Sequence, residues 1–370
     1  MTFPVAGVDE RIAGPDEVLQ VARGIATAVA PASGLTDVQA SLLQAVTKAM
    51  TGYEIDYSQL DGLGSDELAL VLCERDHPYR QRIVQHMVLG ELVLTPLPED
   101  VAERVSGYAD ALGVDDDFVQ VARKYSRGAL GLAWVDLRRS GFLDRWDDDR
   151  LVPLHTASSM ADPWDEAPPD PALEARWRAF AELPTATLGR AVMEMYRARG
   201  FQLPGTRGAA SAYLAQHDFV HVLADYGTTL EGELEVFAFV GRADPDPKGF
   251  AWLATMVGLF ETGYISVQGP FAVDVRERHL RTPGMPARVP DALRRGKSVC
   301  ERFGRDLFTV DFHAIAHRSV AELREELHIP PKSDEVLELG SPGVFDPGGI
   351  SERQRLAGSR TEASDRVASA

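Results

Sequence analysis

Residues 209–240 read AASAYLAQHDFVHVLADYGTTLEGELEVFAFV. Ala209 to Tyr226 has helical spacing, Gly227 ends it, and Leu230 to Val240 continues as a second helix. Within the first helix His217 and His221 stand four apart, so they project from one face. Imidazole is the commonest protein ligand for a borderline divalent metal. Asp218 is rotated about 100° from His217 around the axis. It is either a third ligand or an acceptor that orients an imidazole. Glu233 follows the break at Gly227, and a helix–turn–helix folds it back against the histidines. Three or four protein ligands with a gap for water or substrate is the arrangement of a catalytic divalent site.

Spacing by itself leaves a plainer reading open. His313 and His317, in DFHAIAHRS, repeat the four-residue interval, and only Glu322 follows them. That second pair reads as structural. A peptidase is disfavoured: in zincins a glutamate follows the first histidine as general base, whereas here the position is Asp218, one methylene shorter.

Working outward, helical patterning dominates and no strand signal matches it, so the expected fold class is all-α. Helices are expected over Thr36 to Ala49, around Ser65 to Leu72, over Tyr79 to Val93, from Leu97 to a stop at Gly113, and once or twice between Asp115 and Arg138. Residues 151–172 carry five prolines, which remove backbone donors and disfavour helix. They read as a Pro-rich linker joining two helical units, 1–150 and 173–335, with Trp164 packed on one of them. In the second unit helices are expected at Ala172 to Leu183, Thr187 to Arg199, Phe250 to Tyr264, Pro290 to Thr309 and Val320 to Leu327. Phe250 to Tyr264 is apolar nearly all round and is expected to be the most buried helix. Residues 341–370 are Gly-, Ser- and Arg-rich and read as a disordered tail.

Composition narrows the function. The chain has 370 residues, 45% of them apolar, and a formal charge of −18. That balance argues against charge-driven binding to nucleic acid or an anionic membrane. The N-terminus does not read as a signal peptide, and no run is long and apolar enough to span a bilayer. Cys73 and Cys300 lie far apart and read as inert core thiols of a reduced, cytoplasmic protein. There is no internal repeat and no phosphate-cradling glycine loop.

The motif with its surroundings resembles the Coq-four family of ubiquinone-biosynthesis proteins. That family's signature is His-Asp-x-x-His, eleven residues, then Glu, with a Gly just before the Glu. Here it stands as HDFVHVLADYGTTLEGE: His217, Asp218, His221, Gly227, Gly232, Glu233. LPTATLGRAVMEMYRARGF (Leu183 to Phe201) is similar to the family's opening helix. ALRRGKSVCERFGRDLFTVDFHAIAHRSVAELREELHIP (Ala292 to Pro330) is similar to its closing segment. The resemblance covers roughly residues 175–331.

The resemblance implies an all-helical fold with an apolar prenyl groove. It implies zinc, or another divalent metal, held by His217, Asp218, His221 and Glu233. It also implies decarboxylation, in some members oxidative, of a prenylated 4-hydroxybenzoate-type intermediate. Asp218 or Glu233 would be the catalytic acid if either is not a ligand. Arg190, Arg197 and Arg207 are candidates to meet an anionic head group. The implied partners are a prenylated aromatic lipid or prenyl phosphate, other quinone-biosynthesis proteins, the membrane surface at its periphery, and a second copy in a homodimer. The alternative is a non-catalytic prenyl-lipid carrier or scaffold of a quinone-biosynthesis complex. The leader departs from the family and weakly resembles the helical TerB fold, with Asp56 and Asp61 as its candidate acidic metal residues. The order around Val275 to His279 also departs from the family's.

Overall fold

The computed structural model describes residues 13–94, 96–115, 169–207, 209, 215–245 and 279–368. They form fourteen α-helices with short 3-10 turns, and the protein is all-α. Among the described residues β-type pairing amounts to one isolated bridge, between Thr187 and Ser319. No described helix is long and apolar enough to cross a membrane.

The N-terminal helices are α1 (Pro15–Val29), α2 (Asp37–Thr51), α3 (Ser65–Val71), α4 (His77–Leu92) and α5 (Glu99–Ala111). Their ends follow local chemistry. Pro15 starts α1, where its missing N–H costs nothing, and Asp16 and Glu17 sit in the positive first turn. Thr36 and Gln39 form a reciprocal capping box on α2, and Gly52 closes it at φ 83°. Asp76 caps α4 by accepting from Tyr79 N at 2.8 Å. α1 precedes the first helix read from the sequence.

The C-terminal helices are α6 (Pro171–Ala179), α7 (Leu188–Arg199), α8 (Gln216–Ala224), α9 (Leu230–Ala243), α10 (Met285–Phe303), α11 (Phe312–Ile315), α12 (Val320–Glu326), α13 (Asp334–Glu338) and α14 (Glu352–Ala368). α8 packs on α7, α9 and α12, and α9 lies along α10. The α9–α10 approach is close because position 296 lacks a side chain: a Cβ there would sit 2.2 Å from the Phe239 carbonyl oxygen. α10 begins before the expected Pro290, which lies inside it. The other flank of α10 meets α2, and Lys297 Nζ donates to the Met50 carbonyl at 2.9 Å. One apolar core runs from Val21 in α1 to Val344.

The disordered tail expected from residue 341 is corrected. Residues 341–368 fold into a strap and α14, which lies across α7. A Cβ at Gly358 would come 2.3 Å from the Ala198 carbonyl oxygen, and one at Gly200 would come 2.8 Å from the Ala357 Cβ. Ordering here comes from backbone contact at glycines and from buried polar groups such as Gln354, not from apolar bulk. Cys300 is buried as expected, whereas Cys73 is exposed. The expected helix between Asp115 and Arg138, nearly all of the 151–172 linker with Trp164, and Phe250 to Tyr264 lie outside the described residues.

Candidate metal centre

α8 carries His217, Asp218 and His221, and the first turn of α9 carries Glu233, where the helix dipole favours a carboxylate. The turn between them is built from backbone. Asp225 ends α8 at φ 60°, and its Oδ1 accepts from Val344 N at 3.1 Å. Thr229 caps α9 by accepting from Gly232 N at 3.3 Å. The chain folds back tightly: a Cβ on Gly232 would lie 2.0 Å from the Gly227 carbonyl oxygen. Both motif glycines therefore serve close approach, and the turn presents Glu233 to the two histidines.

All four side chains are buried. The ligand atoms of His217, Asp218 and His221 lie within 4.8 Å of one another. Glu233 bridges the imidazoles, with Oε1 at 3.3 Å from His221 Nε2 and Oε2 at 3.5 Å from His217 Nε2. Asp218 Oδ1 is 3.5 Å from His217 Nε2. These separations exceed ordinary N–H···O bonds, which run about 2.7–3.2 Å. Three of these contacts come near the edge of a tetrahedron around a zinc ion with ~2.0–2.1 Å bonds, roughly 3.3–3.4 Å, with Glu233 set against both histidines outside the group of three.

Proton positions agree. His221 Nδ1 lies 3.2 Å from the Tyr226 carbonyl, which only accepts, so Nδ1 carries the hydrogen. His221 Nε2 is then turned toward Glu233 and is buried without a hydrogen bond. A lone pair facing a carboxylate is unfavourable unless a cation or a proton lies between them. Tyr196 on α7 donates to Asp218 Oδ2 at 2.5 Å, leaving Oδ1 toward His217. Burial, with the Asp218 charge and hydrogen bond added, holds the Tyr196 hydroxyl protonated far above its ordinary range. Burial alone would raise the Glu233 carboxyl; with a proton on the imidazoles, the charge and hydrogen bonds of His221 and His217 outweigh it and hold the group well below the carboxylate range. The ring of His217 stacks on Phe237 at 5.4 Å. Two imidazole nitrogens and two carboxylates in this arrangement fit a divalent metal of the zinc type.

The second histidine pair does not form such a site. α11 ends at Ile315, so His313 and His317 do not share a helix face. His313 packs among Trp177, Phe180 and Phe219, and burial, reinforced by the Arg176 charge, lowers it to about 4. Asp56 caps the turn at Ser58, and no cluster of three ligating side chains forms around Asp56 or Asp61 among the described residues.

A cavity of about 680 Å³ opens beside α7. Tyr196, Met193, Phe201 and Leu203 contribute to its wall, with Arg178, Arg197 and Arg207 around it. Tyr196 thus faces the cavity and touches the histidine–carboxylate cluster through Asp218. Two of the three arginines singled out in the sequence reach this cavity. Arg190 instead pairs with Glu194 at 2.8 Å and donates to the Ala181 carbonyl. Sequence reasoning missed Tyr196, which reads there as one more large residue on the inner face of α7.

Comparison with protein-family models and with curated proteins returns no match. Among solved structures the chain is similar to a Nostoc punctiforme protein provisionally named a ubiquinone biosynthesis protein, with a TM-score of 0.30 and 20% identity. The similarity covers 68% of this chain and 97% of the other.

Proposed function

We propose that the protein binds one divalent metal, zinc by the donor set, through His217, Asp218, His221 and Glu233. We further propose that it uses this centre to decarboxylate a prenylated 4-hydroxybenzoate-type acid in prenylquinone biosynthesis. The observation that carries the reading is the cluster itself: His217, Asp218 and His221 with ligand atoms within 4.8 Å of one another, Glu233 against both imidazoles, and His221 Nε2 directed inward. The Coq-four-like motif supplies the substrate class, and the adjacent cavity supplies room for it. When bound, the metal would hold an acidic ring substituent and offset its charge.

The chain's own groups have separable tasks. Arg197 and Arg207 attract the anion to the cavity, and Met193, Phe201 and Leu203 offer apolar surface to the chain of an amphiphile. Loss of carbon dioxide leaves the reacting carbon one proton short, and the Tyr196 hydroxyl, which donates to Asp218 in the cavity wall, would be the group to supply it. Cavity and arginines also suit the second reading, a prenyl-lipid carrier without chemistry.

The test incubates the metal-loaded protein with a prenylated 4-hydroxybenzoate and follows carbon dioxide together with the decarboxylated lipid by mass spectrometry. Matched release of both, abolished in His221→Ala, supports catalysis. Lipid bound and recovered unchanged by the metal-loaded protein contradicts it and leaves the carrier.

A further inference from the structure

The strap that precedes α14 lies beyond the Coq-four-like segment, yet it closes on the turn between the two ligand-bearing helices. Gly227 N donates to the Pro342 carbonyl at 3.3 Å, and Thr228 N donates to the Gly349 carbonyl at 2.8 Å. Gly349 lies so near that a Cβ on Gly227 would come 2.4 Å from its Cα. Gln354 Nε2 donates to the Thr228 carbonyl at 2.8 Å, and Thr228 Oγ1 donates to Gln354 Oε1 at 3.0 Å.

Arg199, at the end of α7, is fully buried. Its Nε donates to Thr228 Oγ1 at 2.5 Å. Its Nη2 donates to the Val344 carbonyl at 2.5 Å and to the Gly349 carbonyl at 3.2 Å, and Nη1 donates to the Met195 carbonyl at 3.3 Å. Every acceptor is neutral. A guanidinium removed from water is normally paired with a carboxylate. Here the opposing charges are at longer range, Asp218 and Glu233 of the candidate centre, which counter the effect of burial on Arg199. The same helix carries Tyr196, which holds Asp218. One side chain therefore joins α7, the α8–α9 turn and the strap.

We propose that residues 341–354 are a working part of the metal centre. Arg199 is the positioning residue that locks them onto the α8–α9 turn, fixing the distance between the histidines and Glu233. The proposal rests on the reading of His217, Asp218, His221 and Glu233 as ligands.

The test titrates the full chain with Co²⁺, whose visible absorption reports ligand number and geometry. It compares the unmodified protein with Arg199→Lys, Gly349→Ala and the double variant. Lysine keeps the charge and loses the fork. A Cβ on Gly349 would come 2.2 Å from the Gly343 carbonyl oxygen, so it displaces the strap without altering a ligand residue. Each single variant is expected to keep its helical circular dichroism, bind Co²⁺ about tenfold more weakly or worse, and show a changed spectrum. The double variant is expected to bind no worse than the weaker single one, because both break one lock.

Single variants with unchanged affinity and spectrum overturn the proposal, as do additive losses. If Arg199→Lys does not fold, Gln354→Ala, which removes the strap's side-chain bonds to Thr228 together with the one to Ser351 N, must weaken Co²⁺ binding; unchanged binding there overturns the proposal too. An unmodified protein that binds no Co²⁺ removes the metal reading itself, and this proposal with it.

Discussion

At the scale of single residues, the centre depends on which atoms already have partners. The Tyr226 carbonyl fixes the proton of His221 on Nδ1, and Tyr196 occupies one oxygen of Asp218. Around these fixed atoms, Glu233 lies against both Nε2 atoms and Asp218 Oδ1 against that of His217. Tyr196→Phe keeps the ring in the cavity wall and removes the donor. Metal affinity should fall about tenfold, as for other losses of groups that orient ligands, while the helical signal is retained; isothermal titration with Zn²⁺ checks this. His313 makes a separate prediction. Burial puts its folded pKa at about 4, below the ordinary histidine value of 6.5. Between those values the unfolded chain binds more protons, so stability is full above about pH 6.5 and declines as pH falls toward 4. The contribution is on the order of 1–2 kcal/mol once partial exposure is allowed for. His313→Phe, placed among Trp177, Phe180 and Phe219, should lose less stability over that interval in urea melts at pH 7 and pH 4.5. Spacing singled out the histidine pair as well as its twin at His313 and His317, and the Coq-four-like motif was needed to name His217, Asp218, His221 and Glu233 as a set. Tyr196 was not legible, since a tyrosine on an apolar face looks the same whether or not its hydroxyl reaches a carboxylate.

At the scale of elements, the α8–α9 turn is the part that tolerates least change. Gly232→Ala puts a Cβ against the Gly227 carbonyl and should destabilise the protein by about 1–3 kcal/mol, with Glu233 displaced and metal binding lost. A variant that melts and binds metal like the unmodified protein would contradict this. Helix starts were legible where side chains cap them, as Thr36 with Gln39 does for α2. The strap and α14 were not legible, because composition registers apolar bulk. This segment is held by glycines that allow backbone contact and by polar groups that find partners only across the fold, Arg199 with Gly349 and Gln354 with Thr228. Pro290 misled in the other direction: proline is expected to open a helix, and here neighbouring packing carries α10 through it.

At the scale of the molecule, the leader is packed against the helices that carry the centre. α2 covers one flank of α10, α10 supports α9, and α9 holds Glu233. Removing residues 1–115 bares the α10 face; the shortened protein should melt at lower temperature and self-associate in size-exclusion chromatography. A truncated chain that stays monomeric with an unchanged melting temperature would show that the leader does not support the rest. The central claim is narrower than any reaction: this helical protein holds a metal between α8 and α9. Elemental analysis of the purified full-length chain after dialysis against Zn²⁺ and removal of the excess tests it most directly. The account predicts about one zinc per chain, retained in His317→Ala and lost in His221→Ala. A folded protein that retains no metal, or retains the same amount in His221→Ala, would contradict it.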